Sequence, residues 1–446
     1  VKPEQQASYE AIKGLDKVYL VGGAVRDQLL GLTSHDKDYV VVGASAAQMK
    51  ALGFIPVGKD FPVFLHPKTK DEYALARTER KVGAGYTGFS VDASQTVTLE
   101  EDLARRDLSI NAMALSTSGE LVDPYNGKDD LEHKILRHTT NAFTEDPVRV
   151  LRLARFLARY GKQWRIHAST KKLVKQMLAA GELRHLVPER VFKETEKALS
   201  EREPQLYFEA LKELGVLSVL FPELHDMVNV PQPPQHHPEG DVFIHTMLAV
   251  NRAAQLNFDL ATRFATLTHD FGKAVSFQER GDLLGHEGAG IAVIDAFCAR
   301  LRVPNKLRDL AKLTSLNHLH CHRLLELTPK TLHKVIIDSM NALKQPERFT
   351  QFLQACQCDA QGRGPTLINS PYPQREYAQY LLNALQGINT KAVVKQAIGE
   401  GKTGPDLSEA VRIAQIQCIK EAARIFHNRP SSFNKAALAA IKAPSK

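Results

Sequence analysis

Apolar residues fall in short runs along the first third of the chain and recur at helical spacing after it. Val18-Tyr-Leu-Val21 reads as a short strand, Tyr39-Val-Val-Val42 as a buried one and Glu72-Tyr-Ala-Leu-Ala76 as a third. Runs this short, rich in β-branched and aromatic residues, suit strands. Ala24 to Leu30 reads as a helix entered directly from Gly22-Gly23. Between Thr78 and Ser90 three glycines and three charges leave no apolar period, which predicts a mobile loop. After Asp146 the pattern turns helical, with breaks at Pro188, Pro222 and Pro231-Gln-Pro-Pro234, the best linker candidate. A last helical stretch runs from about Lys330 to Ala440, and no internal repeat or low-complexity tract is visible. These patterns predict an α/β region over residues 15–140, a helical neck and body over 141–225, an all-α domain over 235–345 and a helical C-terminal region over 346–446.

Composition changes this picture little. A chain of 446 residues exceeds one core, and 43% hydrophobic with 24% charged residues is a globular balance rather than a disordered one. No run of about 18 apolar residues exists for a membrane span. Val1 to Gly14 lack an apolar signal core, so the expected location is the cytoplasm. Five scattered cysteines suit reduced thiols; Cys356-Gln-Cys358 has the spacing of half a metal site, but no second cysteine pair completes it.

Charge changes it more. The chain carries +8, and Pro147 to Lys197 alone hold 13 Lys and Arg against four Glu. A solvated surface mixes signs, whereas a one-sign block suits a polyanion such as RNA; an ordinary basic helical face is the plainer alternative.

The first candidate site joins a glycine turn to two carboxylates. Gly22 and Gly23 allow close approach of backbone N–H groups to a phosphate, and Arg26 sits one turn into the helix. Asp36-Lys-Asp38 leads into a strand, where residues two apart share a side. Asp36 and Asp38 can then hold divalent cations jointly, as in-line nucleotidyl transfer requires. Alone, each half of this pattern is common in turns and on surfaces.

Together they resemble the head domain of polymerase-beta-type nucleotidyltransferases, in the branch of bacterial class II CCA-adding enzymes and poly(A) polymerases. The resemblance continues in family order through Arg105-Arg-Asp-Leu-Ser-Ile-Asn-Ala112, Asp123-Pro-Tyr-Asn-Gly127 with Asp130-Leu131, Glu145-Asp-Pro-Val-Arg149, and Pro188-Glu-Arg-Val-Phe-Lys-Glu194. It implies Mg²⁺ on Asp36 and Asp38, and ribose and triphosphate contacts from Arg106, Asp107 and Asn111. It also implies a flexible loop at Thr78–Ser90 that helps switch specificity from C to A, a loop absent from enzymes that add only CC. Glu72 is either a third metal-side carboxylate or a surface residue.

Glu145-Asp-Pro-Val-Arg149 is the resemblance's nucleobase-reading element. A carboxylate such as Asp146 accepts from the amino group of cytosine or adenine, while Arg149 donates to the neighbouring ring acceptors. Guanine and uracil present a carbonyl there instead. Spaced three apart, Asp146 and Arg149 are expected on one face of a helix. Arg149, Arg152, Arg155 and Arg159 fall within about a third of the helix circumference, opposite Val150, Leu151, Ala154 and Leu157, with no acidic residue between them. Triphosphate and tRNA-backbone contacts are the expected use, with Arg152 and Arg155 nearest the nucleotide by resemblance.

The second candidate site is histidine-rich. His245, then His269-Asp270-Phe-Gly-Lys273, then His286-Glu-Gly-Ala-Gly290 resemble the HD phosphohydrolase superfamily. That resemblance implies a divalent transition metal, Ni²⁺ being one candidate, on His245, His269, Asp270 and a distal aspartate. Asp359 is the chosen distal ligand and His286 and His318 are secondary candidates; His320 and His322 are expected to be exposed and idle.

The implied fold is an α/β nucleotidyltransferase head of polymerase-beta type, an all-α neck and body, and an all-α HD domain. The implied partners are tRNA, CTP and ATP, with no membrane, in a monomer or homodimer. The implied activities are CCA addition and, in the second domain, phosphatase, 2′-nucleotidase and 2′,3′-cyclic phosphodiesterase. The rivals are a poly(A) polymerase, a hydrolase whose head only binds RNA, and a non-enzymatic RNA-binding protein. About 15 residues precede the usual family start, and the last 80 carry no readable motif.

Overall fold

The computed structural model describes Ile12 and residues 14–33, 37–57, 63–81 and 89–428. Asp36 lies outside the described residues. The chain forms two compact units. One runs to Ala198 and includes Leu206–Leu220; the other comprises Leu199–Gln205 and the chain from Phe221 onward.

The short apolar runs of the first unit pair into a sheet. β1 (Lys17–Val21), β2 (Asp38–Val42), β3 (Ile55–Val57), β4 (Val63–Leu65), β5 (Glu72–Leu75), β8 (Ala114–Ser116) and β9 (Leu121–Val122) lie in the order β3-β4-β5-β2-β1-β8-β9. β2 is antiparallel to β1 and parallel to β5. Its unbroken apolar run has a reason in the packing: Val41 joins Met49, Phe54 and Tyr73 on one face, while Val40 joins Val97, Leu103 and Ala114 on the other. A strand covered on both faces loses the usual apolar–polar alternation.

The expected mobile loop at Thr78–Ser90 is different at its ends. β6 (Thr78–Lys81) and β7 (Phe89–Asp92) pair antiparallel, with Thr78 opposite Asp92. Glu79 anchors the hairpin by accepting from Arg77 Nε at 2.8 Å and Arg105 Nη1 at 3.0 Å. Residues 82–88 lie outside the described residues.

From Val148 onward the elements are helical almost throughout. In the second unit the helices Val242–Gln255, Leu260–Thr268, Asn305–His322 and Pro346–Gln361 pack on one another. The boundary expected between 345 and 346 therefore precedes a helix that belongs to this bundle. Residues 231–234 are non-helical, and Asp241 starts the next helix by accepting from the Ile244 N–H at 2.8 Å. Gly272 fixes the approach of the helices Phe271–Arg280 and His286–Leu301, since a Cβ there would overlap the His286 carbonyl oxygen and the Gly290 nitrogen.

Candidate active sites

A cleft of about 480 Å³ in the first unit is lined by eight arginines and three aspartates. They come from the Gly22-Gly23 turn and its helix, the first residue of β2, the segment Arg105–Asn111, the helix Val148–Tyr160 and Arg190. Gly22 is required twice over. Its φ is +68°, and a Cβ would lie 2.9 Å from Arg106 Nη1.

One buried chain of hydrogen bonds orders the cleft. Arg26 donates from Nε to Asp27 Oδ1 at 2.9 Å and from Nη1 to Asn111 Oδ1 at 2.6 Å. Asn111 Nδ2 donates to Asp107 Oδ1 at 2.9 Å, and Arg152 Nε reaches Asp107 Oδ2 at 2.8 Å. Burial opposes the charge on Asp107. Arg152 and the Asn111 hydrogen bond outweigh it and hold the carboxyl well below the usual carboxylate range. Arg106 leans on fully buried Asp102 at 3.3 Å, and its Nε is buried without a hydrogen-bond partner.

Asp38 opens onto this cleft. The register sets it beside Val21 of β1 and Glu72 of β5, so Glu72 shares its face of the sheet. Glu72 is exposed and is not among the residues that line the cleft.

Two expectations for the arginine helix need correction. Asp146 is not on the helix, which starts at Val148. It precedes Pro147, a position sterically barred from helical backbone, and has φ −126° and ψ 98°. It reaches the helix another way, accepting from the Val148 N–H at 3.2 Å. Arg190, which the sequence reading missed as a site residue, holds Asp146 with Nη1 at 3.1 Å and Nη2 at 2.8 Å. The helix arginines also have acidic partners after all, drawn from other elements: Asp107 for Arg152, Glu194 for Arg155 at 2.8 Å and Asp27 for Arg159 at 3.3 Å. Arg155 is buried, so the charged stripe is partly core. Arg149 donates to the Ala142 carbonyl at 2.7 Å.

The histidine site lies inside the second unit. His245, His269, Asp270, His286, His318 and Asp359 are all buried. His245 Nε2 is 3.1 Å from Asp359 Oδ1, and His269 Nε2 is 3.1 Å from Asp270 Oδ2. His286 Nε2 and His318 Nε2 lie 3.5 and 3.7 Å from Asp270 Oδ1. The rings are aimed from behind. Nδ1 of His269, His286 and His318 meets the carbonyl oxygens of Thr266, Leu283 and Ser315 at 2.7, 2.8 and 2.8 Å, and His245 Nδ1 meets Glu239 at 2.7 Å. Burial drives the His318 imidazole down to about 3, which keeps it a neutral donor of a lone pair.

His322 is not idle. It is half-buried, its Nε2 lies 2.7 Å from Asp359 Oδ2, and its Nδ1 meets the Tyr372 hydroxyl at 3.0 Å. The signal was present: four residues after His318 on one helix, it shares the same face. His320 is exposed, as expected. Glu239 and Lys273, whose Nζ is 2.7 Å from Asp270 Oδ2, were also missed as site residues. Beside His286 an apolar cleft of about 540 Å³ is lined by Pro231, Pro233, Phe277, Leu284 and Leu319, among others. Cys356 and Cys358 are buried, and neither joins a metal-ligand cluster among the described residues.

Comparison with known proteins decides the family. The poly A polymerase head domain family matches residues 18–137, and the family of the probable RNA and SrmB-binding site of polymerase A matches 164–228. A multifunctional CCA protein of Teredinibacter turnerae is 51% identical over 406 residues, 91% of this chain and 97% of that protein. The chain belongs to the family of multifunctional CCA proteins. A member from Acinetobacter baumannii is 48% identical over 407 residues, 91% of this chain and 97% of its own. Among solved structures, a Thermotoga maritima CCA-adding enzyme complexed with tRNA superposes with a TM-score of 0.63 at 19% identity, covering 99% of this chain and 97% of that one. A Bacillus stearothermophilus CCA-adding enzyme in complex with CTP gives 0.62 at 21%, covering 94% of each. At such identities the likeness is one of fold: a nucleotidyltransferase head with a mixed sheet, followed by a helical body. No helix among the described residues is long and apolar enough to cross a membrane.

Proposed function

We propose that the first unit adds C, C and A to the 3′ end of tRNA, using CTP and ATP, with a separate phosphohydrolase in the second unit. The observation that carries the first half is the cleft that sets Asp38 among eight arginines, with Asp146 held at its edge by Arg190. Its support from relatives is that the family members are named multifunctional CCA proteins and that the structural neighbours bind tRNA and CTP.

In this reading Arg26, Arg106, Arg152 and Arg155 neutralise the triphosphate, and the Asn111–Asp107 bridge fixes two of them before substrate arrives. Such preorganisation lowers the reorganisation needed at the transition state. Gly23 leaves the turn open to phosphate. Asp146 accepts the amino group of cytosine or adenine and Arg149 donates beside it. A guanine or uracil would set a carbonyl against the Asp146 carboxylate, at a cost of about 1–3 kcal/mol for the unpaired group. Asp36 and Asp38 would hold Mg²⁺, with Glu72 a third carboxylate on the same face; the ion, when bound, lowers the pKa of the attacking hydroxyl and stabilises pyrophosphate.

For the second unit the donor set fits a divalent transition metal, Ni²⁺ among them, on His245, His269, Asp270 and Asp359. His269 Nε2 and the two Asp270 oxygens are buried and make no well-aligned hydrogen bond, although Lys273 Nζ forms an ion pair with Asp270 Oδ2 at 2.7 Å; a cation would satisfy the remaining lone pairs. A bound cation there would polarise a phosphoryl group or activate water. The apolar cleft beside His286 suits the base of a 2′-nucleotide or 2′,3′-cyclic nucleotide. The division of labour follows residues 15–140 for the head, 141–225 for base and tRNA binding, and 235–345 for hydrolysis, the last extended to take in Asp359. Partners are tRNA, CTP and ATP in the cytoplasm, the protein acting as a monomer or homodimer.

Nucleotide selection tests the head reading. A tRNA lacking its 3′ end is offered CTP, ATP, GTP or UTP singly, with wild type and Asp146→Ala. Wild type should take CTP and refuse GTP and UTP, while Asp146→Ala loses that preference. Equal use of all four by the wild type contradicts the reading.

A further inference from the structure

We propose that Asp102, a buried carboxylate that is not among the residues lining the cleft, is the positioning residue that aims Arg106 at the triphosphate of the incoming nucleotide. The inference rests on the reading of the first unit as a nucleotidyltransferase and deepens it.

Asp102 sits in the helix Leu99–Ala104, and its two oxygens are used differently. Oδ1 accepts from Arg105 Nε at 3.1 Å and Nη2 at 2.8 Å, and from the backbone N–H of Arg77 at 3.2 Å. Arg105 is itself held, donating from Nε to the Arg77 carbonyl at 3.2 Å and from Nη1 to Glu79 at 3.0 Å. A backbone donor and a planar guanidinium on one oxygen leave the carboxylate little freedom to turn. It is pinned from the root of the β6–β7 hairpin, so Oδ2 stands at a fixed place. Oδ2 meets Arg106 Nη2 at 3.3 Å.

Arg106 depends on that contact. A guanidinium carries about five N–H donors, and among the described residues Asp102 is the one side chain bonded to it. Its Nε is buried without a hydrogen-bond partner, and its Nη1 lies 2.9 Å from where a Gly22 Cβ would stand. The guanidinium therefore spans from Asp102 to the glycine turn, where the missing Cβ leaves room for phosphate. Other cleft arginines are fixed more firmly: Arg152 by Asp107, Arg155 by Glu194, and Arg26 by Asp27 and Asn111. Without its carboxylate, so long a side chain would spread over many rotamers and would no longer be set before the phosphate arrives. Burial opposes the charge on Arg106, and Asp102 is the largest influence that offsets it. A carboxylate facing the phosphate would repel it. Asp102 lies behind the arginine instead, so it aims the cation without adding a negative charge to the cleft wall.

Equilibrium dialysis of CTP and CMP against the full chain tests this, with wild type, Asp102→Asn, Arg106→Met and the double variant. The proposal expects Asp102→Asn to weaken CTP by about tenfold or more, while CMP, which lacks the outer two phosphates, changes by less than about twofold. In the Arg106→Met background the same substitution should cost CTP almost nothing, because the group it positions is gone. Equal losses for CTP and CMP, or a tenfold loss that persists beside Arg106→Met, overturn the proposal and leave Asp102 a structural residue of the hairpin root. If Asp102→Asn does not fold, Asp102→Glu takes its place: it keeps the charge but displaces the guanidinium, and the same two comparisons decide. A wild type that binds neither nucleotide and leaves a tRNA lacking its 3′ end unextended removes the nucleotidyltransferase reading, and the proposal with it.

Discussion

Arg190 holds Asp146 with two nitrogens, at 3.1 and 2.8 Å, so the carboxylate proposed to read the base is oriented by a different helix from the one it precedes. Arg190→Ala should free that carboxylate and blur selection of CTP over UTP by roughly tenfold to a hundredfold, the equivalent of about 1–3 kcal/mol. Arg190→Lys should restore little, because one ammonium cannot reproduce a two-nitrogen grip. Single-turnover incorporation of each nucleotide measures this, and unchanged selectivity in Arg190→Ala would count against it.

Asn111 links Arg26 to Asp107, and Asp107 in turn holds Arg152. Asn111→Ala should lower kcat/KM for CTP by about tenfold or more, in keeping with roughly 1.5–3 kcal/mol for a hydrogen bond to a charged group. The expected loss is in nucleotide use rather than in tRNA affinity.

Asp107 has its folded pKa depressed, chiefly by Arg152 acting against burial. A depressed carboxylate contributes stability fully above its unfolded pKa of about 3.9 and loses it as the pH falls toward the folded value. The stability gap between wild type and Asp107→Asn should therefore be widest above about pH 5 and narrow below about pH 4. Urea midpoints across this range decide it, and a gap that widens on acidification is the contrary result.

Asp359 takes His245 on one oxygen and His322 on the other. His322→Phe should keep the fold and weaken metal binding by about 10–100-fold, the range for lost orienting partners. Isothermal titration with Ni²⁺ reads the change; an affinity equal to wild type would return His322 to the surface role expected from sequence.

Much of this was legible in the sequence for identifiable reasons. β2 announced itself because both its faces are covered, and Gly22-Gly23 because only glycine tolerates Arg106 so close. Asp146 was misplaced onto the helix although Pro147 follows it, a local signal outweighed by the three-residue spacing to Arg149. The acidic partners of the arginine helix were illegible for a different cause. Asp27, Asp107 and Glu194 are distant in sequence, and only folding brings them to Arg159, Arg152 and Arg155. Glu239 likewise carries no pattern, being set behind His245 by the turn of a non-helical segment.

The central claim, that the first unit builds CCA without a template, is tested most directly by extending a tRNA that lacks its 3′ end with CTP and ATP, singly and together. Wild type and His269→Ala should add C, C, then A and stop, and Asp38→Ala should add nothing while still hydrolysing a 2′,3′-cyclic nucleotide. A ladder of A from ATP alone, or addition that survives in Asp38→Ala, would contradict the account.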